Sequence, residues 1–88
     1  MPSNNFKDKV TVITGGGSGI GEAISKHFSD EGAKIIILDS NQSEGQRVAQ
    51  QINADFIHCD ISETKSVDNA FKSIESTHGS INILTVSY

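Results

Sequence analysis

Apolar residues follow two alternating patterns along this chain. Short runs rich in β-branched residues alternate with longer segments in which apolar residues recur every three or four positions. The runs are typical of buried strands, and the longer segments are typical of helices with one apolar face. The pattern predicts four strands, at residues 9–14, 34–38, 55–59 and 81–86. It also predicts three helices, the first from Gly19, the second after Ser43 and the third from about Thr64.

The predicted helices carry their own start and stop signals. Ser43 is the expected N-cap of the second helix, because Gln46 stands at the spacing of a capping box. The third helix is expected to end near His78 and Gly79. The first is expected to end at residues 30–32. Its apolar face comprises Ile20, Ala23, Ile24, His27 and Phe28.

Strands and helices that alternate in this way form βαβ units. Three such units follow from the predicted order, and their right-handed crossovers make the sheet parallel. The run KIIIL at residues 34–38 contains three consecutive isoleucines, as expected of a strand covered on both faces. At 88 residues, the chain is one α/β domain or part of one.

Composition narrows the classes of partner and compartment. The net charge is −4, and the seven Lys and Arg residues are scattered, so we expect neither a nucleic-acid nor an anionic membrane surface. The single cysteine, Cys59, excludes an internal disulfide, and a small buried residue in the third strand is its expected role. No apolar run approaches the roughly 20 residues of a membrane span, and the N-terminus has no signal-peptide pattern. A cytoplasmic location is therefore expected.

Five of the eight glycines lie between Gly15 and Gly21, where the first strand turns into the first helix. A phosphate at such a turn is held by main-chain N–H groups and by the positive end of the helix dipole. Gly15 is expected to make the tight turn, Gly19 to let the backbone approach a pyrophosphate, and Gly21 to let helix and strand close together. Ser18 either bonds a phosphate or only turns the chain.

An acidic residue follows the glycines at the sequence spacing expected of a residue that binds a ribose. Asp39 comes eighteen residues after Gly21, at the end of the second strand, and its carboxylate can accept from both ribose hydroxyls. The alternative is a solvated acid that starts a loop. A 2′-phosphate about 4 Å from Asp39 would be repelled by about 1 kcal/mol in water and about 4 kcal/mol at a protein surface. Because neighbouring Gly16, Gly17 and Ser40 are uncharged, NAD is expected in preference to NADP.

These segments resemble the short-chain dehydrogenase/reductase family over about residues 6–84. The family's Thr-Gly-x-x-x-Gly-x-Gly loop is present as TGGGSGIG, and KVTVITGGGSGIG and EGAKIIILD are both similar to the family's opening segments. The triplet Cys59-Asp60-Ile61 resembles its adenine-binding step, in which the aspartate accepts from the adenine amino group and the next N–H meets the ring. The resemblance implies a Rossmann-like sheet of order 3-2-1-4. The implied cofactor-binding residues are Gly15, Ser18, Gly19, Ile20, Gly21, Asp39, Asp60 and Ile61.

The resemblance implies hydride transfer between NAD and an alcohol or ketone substrate in the parent enzyme. The family's Asn-Asn-Ala-Gly segment, its serine and its Tyr-x-x-x-Lys pair have no counterpart after Leu84. We therefore expect no catalytic residue in residues 1–88, which are interpreted as the truncated N-terminal portion of a single dinucleotide-binding domain, inactive alone. Tyr88 is expected to be an exposed terminal aromatic. The three histidines lie on different elements without metal-ligand spacing, so no metal site is expected.

Two other interpretations remain open. The chain could be a natural non-catalytic product that binds nucleotide weakly or interferes with a longer homologue. It could also be a methyltransferase that uses S-adenosylmethionine, although the glycine loops of such enzymes usually carry an acid where this chain has Ile13 and Thr14.

The fourth strand, INILTV, is uncharged and rich in β-branched residues. As an open edge it is expected to pair with another chain, so poor solubility or self-association is predicted.

Overall fold

Strands and helices alternate along the chain in the predicted order. The computed structural model describes residues 5–15, 17 and 19–86. Its strands are β1 (Val10–Thr14), β2 (Lys34–Asp39), β3 (Asp55–His58) and β4 (Ile83–Val86). Its helices are α1 (Gly19–Asp30), α2 (Gln42–Ile52) and α3 (Thr64–His78). No helix in these ranges has both the length and the apolar character needed to cross a membrane.

The four strands form one parallel sheet in the order β3-β2-β1-β4. This confirms the expected α/β, Rossmann-like order 3-2-1-4. In the register of the sheet, Val12 of β1 lies between Ile36 of β2 and Leu84 of β4. Because all strands run in one direction, their carboxyl ends and the loops that follow them meet at a single edge.

The sheet is covered on both faces, and β2 contributes side chains to each. One apolar cluster lies on the side of α1 and α2 and contains Ile13, Ile35, Ile37, Val48 and Ala49. The other lies on the side of α3 and contains Val10, Val12, Ile36, Leu38, Cys59, Ala70 and Ile74. The isoleucines of β2 thus alternate between the two clusters, which confirms that the KIIIL run is buried on both sides.

The buried face of α1 agrees only in part with the prediction. Of the predicted apolar face, Ile24 and Phe28 pack against the core, whereas Ile20 is 69% exposed and Ala23 and His27 are exposed as well. Gly21 and Ser25 are the buried residues of this helix. Small residues there allow close packing, and the Ser25 hydroxyl donates to the Gly21 carbonyl at 2.8 Å, which satisfies its polar atom.

The start of α2 also corrects the prediction. The N-cap is Asn41, not Ser43, and the Asn41 side chain accepts from the Glu44 N–H at 3.1 Å. Both residue types are good caps. The choice follows from the preceding turn, because Asp39 Oδ1 accepts the Asn41 N–H at 2.9 Å and so brings the chain into the helix two residues earlier.

The strand ends shift by one or two residues from their predicted positions. β4 starts at Ile83 rather than at Ile81. The reason is that Asn82 pairs with Val10 partly through its side chain, which interrupts the regular main-chain pairing of strands. Its Oδ1 accepts the Val10 N–H at 2.9 Å, while its own N–H donates to the Val10 carbonyl at 2.9 Å. This double contact ties the start of β4 to the start of β1.

Candidate functional site

The loops after β1, β2 and β3 are joined at the carboxyl edge of the sheet by main-chain hydrogen bonds. The Gly15 N–H donates to the Leu38 carbonyl at 2.7 Å, and the Cys59 N–H donates to the Asp39 carbonyl at 3.1 Å. The glycine loop, Asp39 and the residue after Cys59, Asp60, are therefore held at one place. This edge is the candidate site.

Gly15 turns the chain out of β1. Its φ is 69°, in the left-handed region that favours glycine. A residue with a side chain would be strained at this point. The geometry agrees with the tight turn expected at Gly15.

Gly17 is held between Asp39 and the first turn of α2. Its N–H donates to Asp39 Oδ2 at 2.9 Å. A Cβ at this position would lie 2.8 Å from the same oxygen and 2.8 Å from the Gly45 nitrogen. Only glycine fits there without movement of a neighbour, so the loop rests directly on α2. The sequence analysis assigned no such role to Gly17.

The carboxylate of Asp39 retains capacity for further hydrogen bonds. Each of its oxygens accepts one N–H, Oδ2 from Gly17 and Oδ1 from Asn41. A carboxylate oxygen offers two lone pairs. The half-buried Asp39 can therefore accept one more donor on each oxygen, such as a pair of adjacent hydroxyls.

The first turn of α1 faces outward beside this carboxylate. Gly19 and Ile20 are exposed, and a Cβ on Gly19 would meet nothing within 4 Å. The N–H groups of a first helical turn have no acceptor within the helix, and they lie at the positive end of its dipole. The turn can therefore hold an anion. Ser18, together with Gly16, lies outside the described residues.

Asp60 is held ionised at the end of β3. Its Oδ1 accepts from the Ser62 hydroxyl at 2.6 Å and from the Ser62 N–H at 3.0 Å. These two bonds lower the pKa of the Asp60 carboxyl below its ordinary value. The next residue, Ile61, has a side chain that is 48% exposed. Asp60 thus directly follows Cys59, whose N–H is bonded to the Asp39 carbonyl.

A chain of charges joins α1 to α2 next to the site. Arg47 Nη2 lies 3.0 Å from Glu22 Oε1 and 2.8 Å from Glu44 Oε2. Lys26 Nζ lies 2.9 Å from the other Glu22 oxygen. Hydrogen bonds from Arg47 and Lys26 lower the pKa of Glu22 to about 2. The spacing of Glu22 to Lys26 and of Glu44 to Arg47 is visible in the sequence, whereas the contact between α1 and α2 is not.

The other candidate groups lie apart from this edge or have structural partners. Cys59 is 2% exposed, which confirms its expected role as a small buried residue. His78 Nε2 contacts Asp55 Oδ2 at 2.8 Å, near the opposite end of β3. Across the described ranges, no group of three or more His, Cys, Asp and Glu side chains is arranged to hold a metal. Tyr88 lies outside those ranges.

Comparison with known proteins identifies the family of this chain. Residues 9–87 match the family described as short chain dehydrogenase. The chain belongs to this family. The nicotinamide-cofactor-binding Rossmann part of short-chain dehydrogenases thus corresponds to the sheet and loops described above.

Similar proteins show which part of a short-chain dehydrogenase the chain matches. It is 39% identical over 87 residues to Short-chain dehydrogenase reductase 5 of Arabidopsis thaliana, covering 96% of this chain and 34% of that protein. It is 40% identical over 85 residues to secoisolariciresinol dehydrogenase of Forsythia intermedia, covering 93% of this chain and 31% of that protein. The chain therefore spans about a third of the length of these relatives.

A solved structure agrees with the architecture. The crystal structure of 3-ketoacyl-(acyl-carrier-protein) reductase from Brucella melitensis, complexed with NADH, superposes with a TM-score of 0.84 at 40% sequence identity. The match covers 89% of this chain and 33% of that one. That protein is an oxidoreductase that holds a nicotinamide cofactor, and it shares the sheet described here.

Proposed function

We propose that the carboxyl edge of this sheet binds NAD. The observation that carries the proposal is the meeting of three features at one edge: the outward-facing first turn of α1, the Asp39 carboxylate and the ionised Asp60. A dinucleotide offers a pyrophosphate, a ribose diol and an adenine amino group, which are complementary to these three features. Open space above Gly19 leaves room for such a ligand.

The proposed assignment follows the chemistry of each group. The loop and first turn of α1 hold the pyrophosphate, Asp39 accepts from the ribose hydroxyls, Asp60 accepts from the adenine amino group, and the Ile61 N–H meets the ring. The residues of the loop and turn are Gly15, Ser18, Gly19, Ile20 and Gly21. Bound NAD supplies hydride chemistry toward an alcohol or ketone in the whole enzyme.

Within that enzyme, residues 1–88 would be the N-terminal portion of a single dinucleotide-binding domain. The chain spans about a third of its relatives, so the activity, the substrate and the cytoplasmic location are proposals for the whole protein. The buried, unpaired Cys59 suits the reducing compartment in this proposal.

The preference for NAD over NADP rests on charge. The Asp39 carboxylate would repel a 2′-phosphate bound at the ribose position. A cation could offset that repulsion, but the guanidinium of Arg47 is bound to the carboxylates of Glu22 and Glu44. NAD, which has hydroxyls at this position, makes hydrogen bonds instead.

The preference is tested by measuring the affinities of NAD and NADP for the chain and for Asp39→Asn. The variant keeps one oxygen acceptor and removes the charge. We expect the unsubstituted chain to favour NAD by about fivefold or more, which corresponds to about 1 kcal/mol, and the variant to lose most of that preference. Equal binding of the two cofactors, or an unchanged ratio in Asp39→Asn, would refute the assignment.

A second function is favoured by the edge strand β4. Among the described strands it pairs with β1 alone, and its Leu84 side chain is 52% exposed. We propose that the 88-residue chain self-associates through this edge, and that the same edge could pair with a longer homologue and interfere with its assembly.

A further inference from the structure

The first turn of α1 carries a negative charge where the proposed site needs a positive field. Glu22 lies in that turn, directly after Gly21, and its side chain is 21% exposed. The N–H groups of the same turn are the proposed ligands of the pyrophosphate. A free carboxylate there would repel a ligand that carries two negative charges.

Arg47 places a compensating charge against that carboxylate from a different helix. Its guanidinium contacts Glu22 at 3.0 Å and Glu44 at 2.8 Å, and its side chain is 42% exposed. Ion pairs this exposed contribute little to folding stability. Loss of one member still changes the local field, and a charged ligand bound nearby responds to that field.

We propose that Arg47 is a positioning residue for the pyrophosphate of the cofactor and that it acts through Glu22, by neutralising the carboxylate on the phosphate-binding turn. The inference rests on the proposed cofactor site, and it goes beyond that site by assigning a role to α2. Lys26 assists from one turn further along α1, where its ammonium contacts the second oxygen of Glu22 at 2.9 Å.

This role differs from that of a simple link between two helices. If Arg47 only fastened α2 to α1, loss of either partner would weaken all nucleotides alike. If it neutralises Glu22, loss of Arg47 weakens phosphate-bearing ligands, while loss of Glu22 strengthens them. The two substitutions therefore have effects of opposite sign only under the proposal.

The test measures the dissociation constants of adenosine and ADP by calorimetry or NMR titration for the 88-residue chain and its variants. For Arg47→Gln we expect the constant for ADP to rise about three- to tenfold, the range expected when about one unit of charge near the ligand is left unpaired in a partly aqueous medium. The constant for adenosine should change less than twofold. Glu22→Gln should tighten ADP binding, and the double variant should return close to the unsubstituted chain.

Two controls separate this effect from general charge and from unfolding. Lys72→Gln, on α3, makes the same change in net charge as Arg47→Gln and should leave the ADP constant unchanged. High salt should shrink the effect of Arg47→Gln, because it screens exposed charges. A thermal melt of each variant shows whether the fold persists.

The outcomes distinguish this inference from the proposed function. If the unsubstituted chain binds neither adenosine nor ADP, the cofactor site itself fails, and the role of Arg47 fails with it. If it binds both but Arg47→Gln leaves the ratio of the two constants unchanged, or Glu22→Gln weakens ADP, only the role of Arg47 is overturned.

Discussion

The carboxylate of Asp39 links the glycine loop to the turn before α2. It accepts hydrogen bonds from the N–H groups of Gly17 and Asn41 at 2.9 Å each. The residue proposed to bind the ribose therefore also organises the backbone around it. The distance from Gly21 to Asp39 along the chain predicted where this acid lies. Its partner Gly17 could not be predicted, because the need for glycine there comes from the approach of Gly45, which is distant in sequence.

Two glycines of the loop should respond differently to the same change. A Cβ at Gly17 would press on Asp39 and on the main chain of α2, whereas a Cβ at Gly19 would point into open space. We expect Gly17→Ala to cost about 1–3 kcal/mol of unfolding free energy through overpacking. Gly19→Ala should change stability by less than about 0.5 kcal/mol but reduce NAD affinity, because the methyl group occupies the proposed approach of the pyrophosphate.

Urea denaturation and NAD titration of the two variants provide the measurements. Equal losses of unfolding free energy in both variants would contradict the close contact of the glycine loop with α2 at Gly17. Unchanged NAD affinity in Gly19→Ala would contradict the placement of the pyrophosphate.

At the scale of elements, the order of strands and helices was predictable because apolar periodicity differs between them. The orientation of α1 was not, since its buried positions Gly21 and Ser25 are not apolar, and their burial reflects close packing. The N-cap of α2 was also missed, because Asn41 and Ser43 are both suitable caps and a tertiary contact with Asp39 decides between them.

The corrected cap leads to a direct test on α2. Asn41→Ala removes the oxygen that accepts the Glu44 N–H, and we expect a loss of about 1 kcal/mol in unfolding free energy. Ser43→Ala lies within the helix on an exposed position and should change stability by less than about 0.5 kcal/mol. Chemical denaturation monitored by circular dichroism compares them. A larger loss in Ser43→Ala would restore Ser43 as the cap.

At the scale of the whole molecule, the sheet is more protected on its faces than at its β4 edge. Helices α1 and α2 cover one face and α3 covers the other. In the part of the chain that the structure describes, β4 has a neighbour on one side, β1. Its outer edge presents main-chain groups, and Leu84 is 52% exposed, an arrangement that favours pairing with a second strand.

The proposed self-association can be tested with two lysine substitutions at similarly exposed apolar residues. Leu84 on β4 is 52% exposed, and Ile61 after β3 is 48% exposed. We expect sedimentation velocity to show oligomers of the unsubstituted chain that Leu84→Lys reduces and Ile61→Lys leaves unchanged. A monodisperse monomer with a cooperative melt would contradict the proposal.

The binding of NAD at the carboxyl edge is the central claim, and a titration of the isotope-labelled chain with NAD, followed by amide NMR shifts, tests it most directly. We expect shifts concentrated at Gly19, Asp39, Asp60 and Ile61, and we expect weak binding that does not saturate at micromolar NAD, because residues 1–88 would supply only part of the nicotinamide pocket. Saturation at micromolar NAD would contradict the expected weakness. Shifts at the opposite end of the sheet, around Asp55 and His78, or no shifts at millimolar NAD, would contradict the site itself.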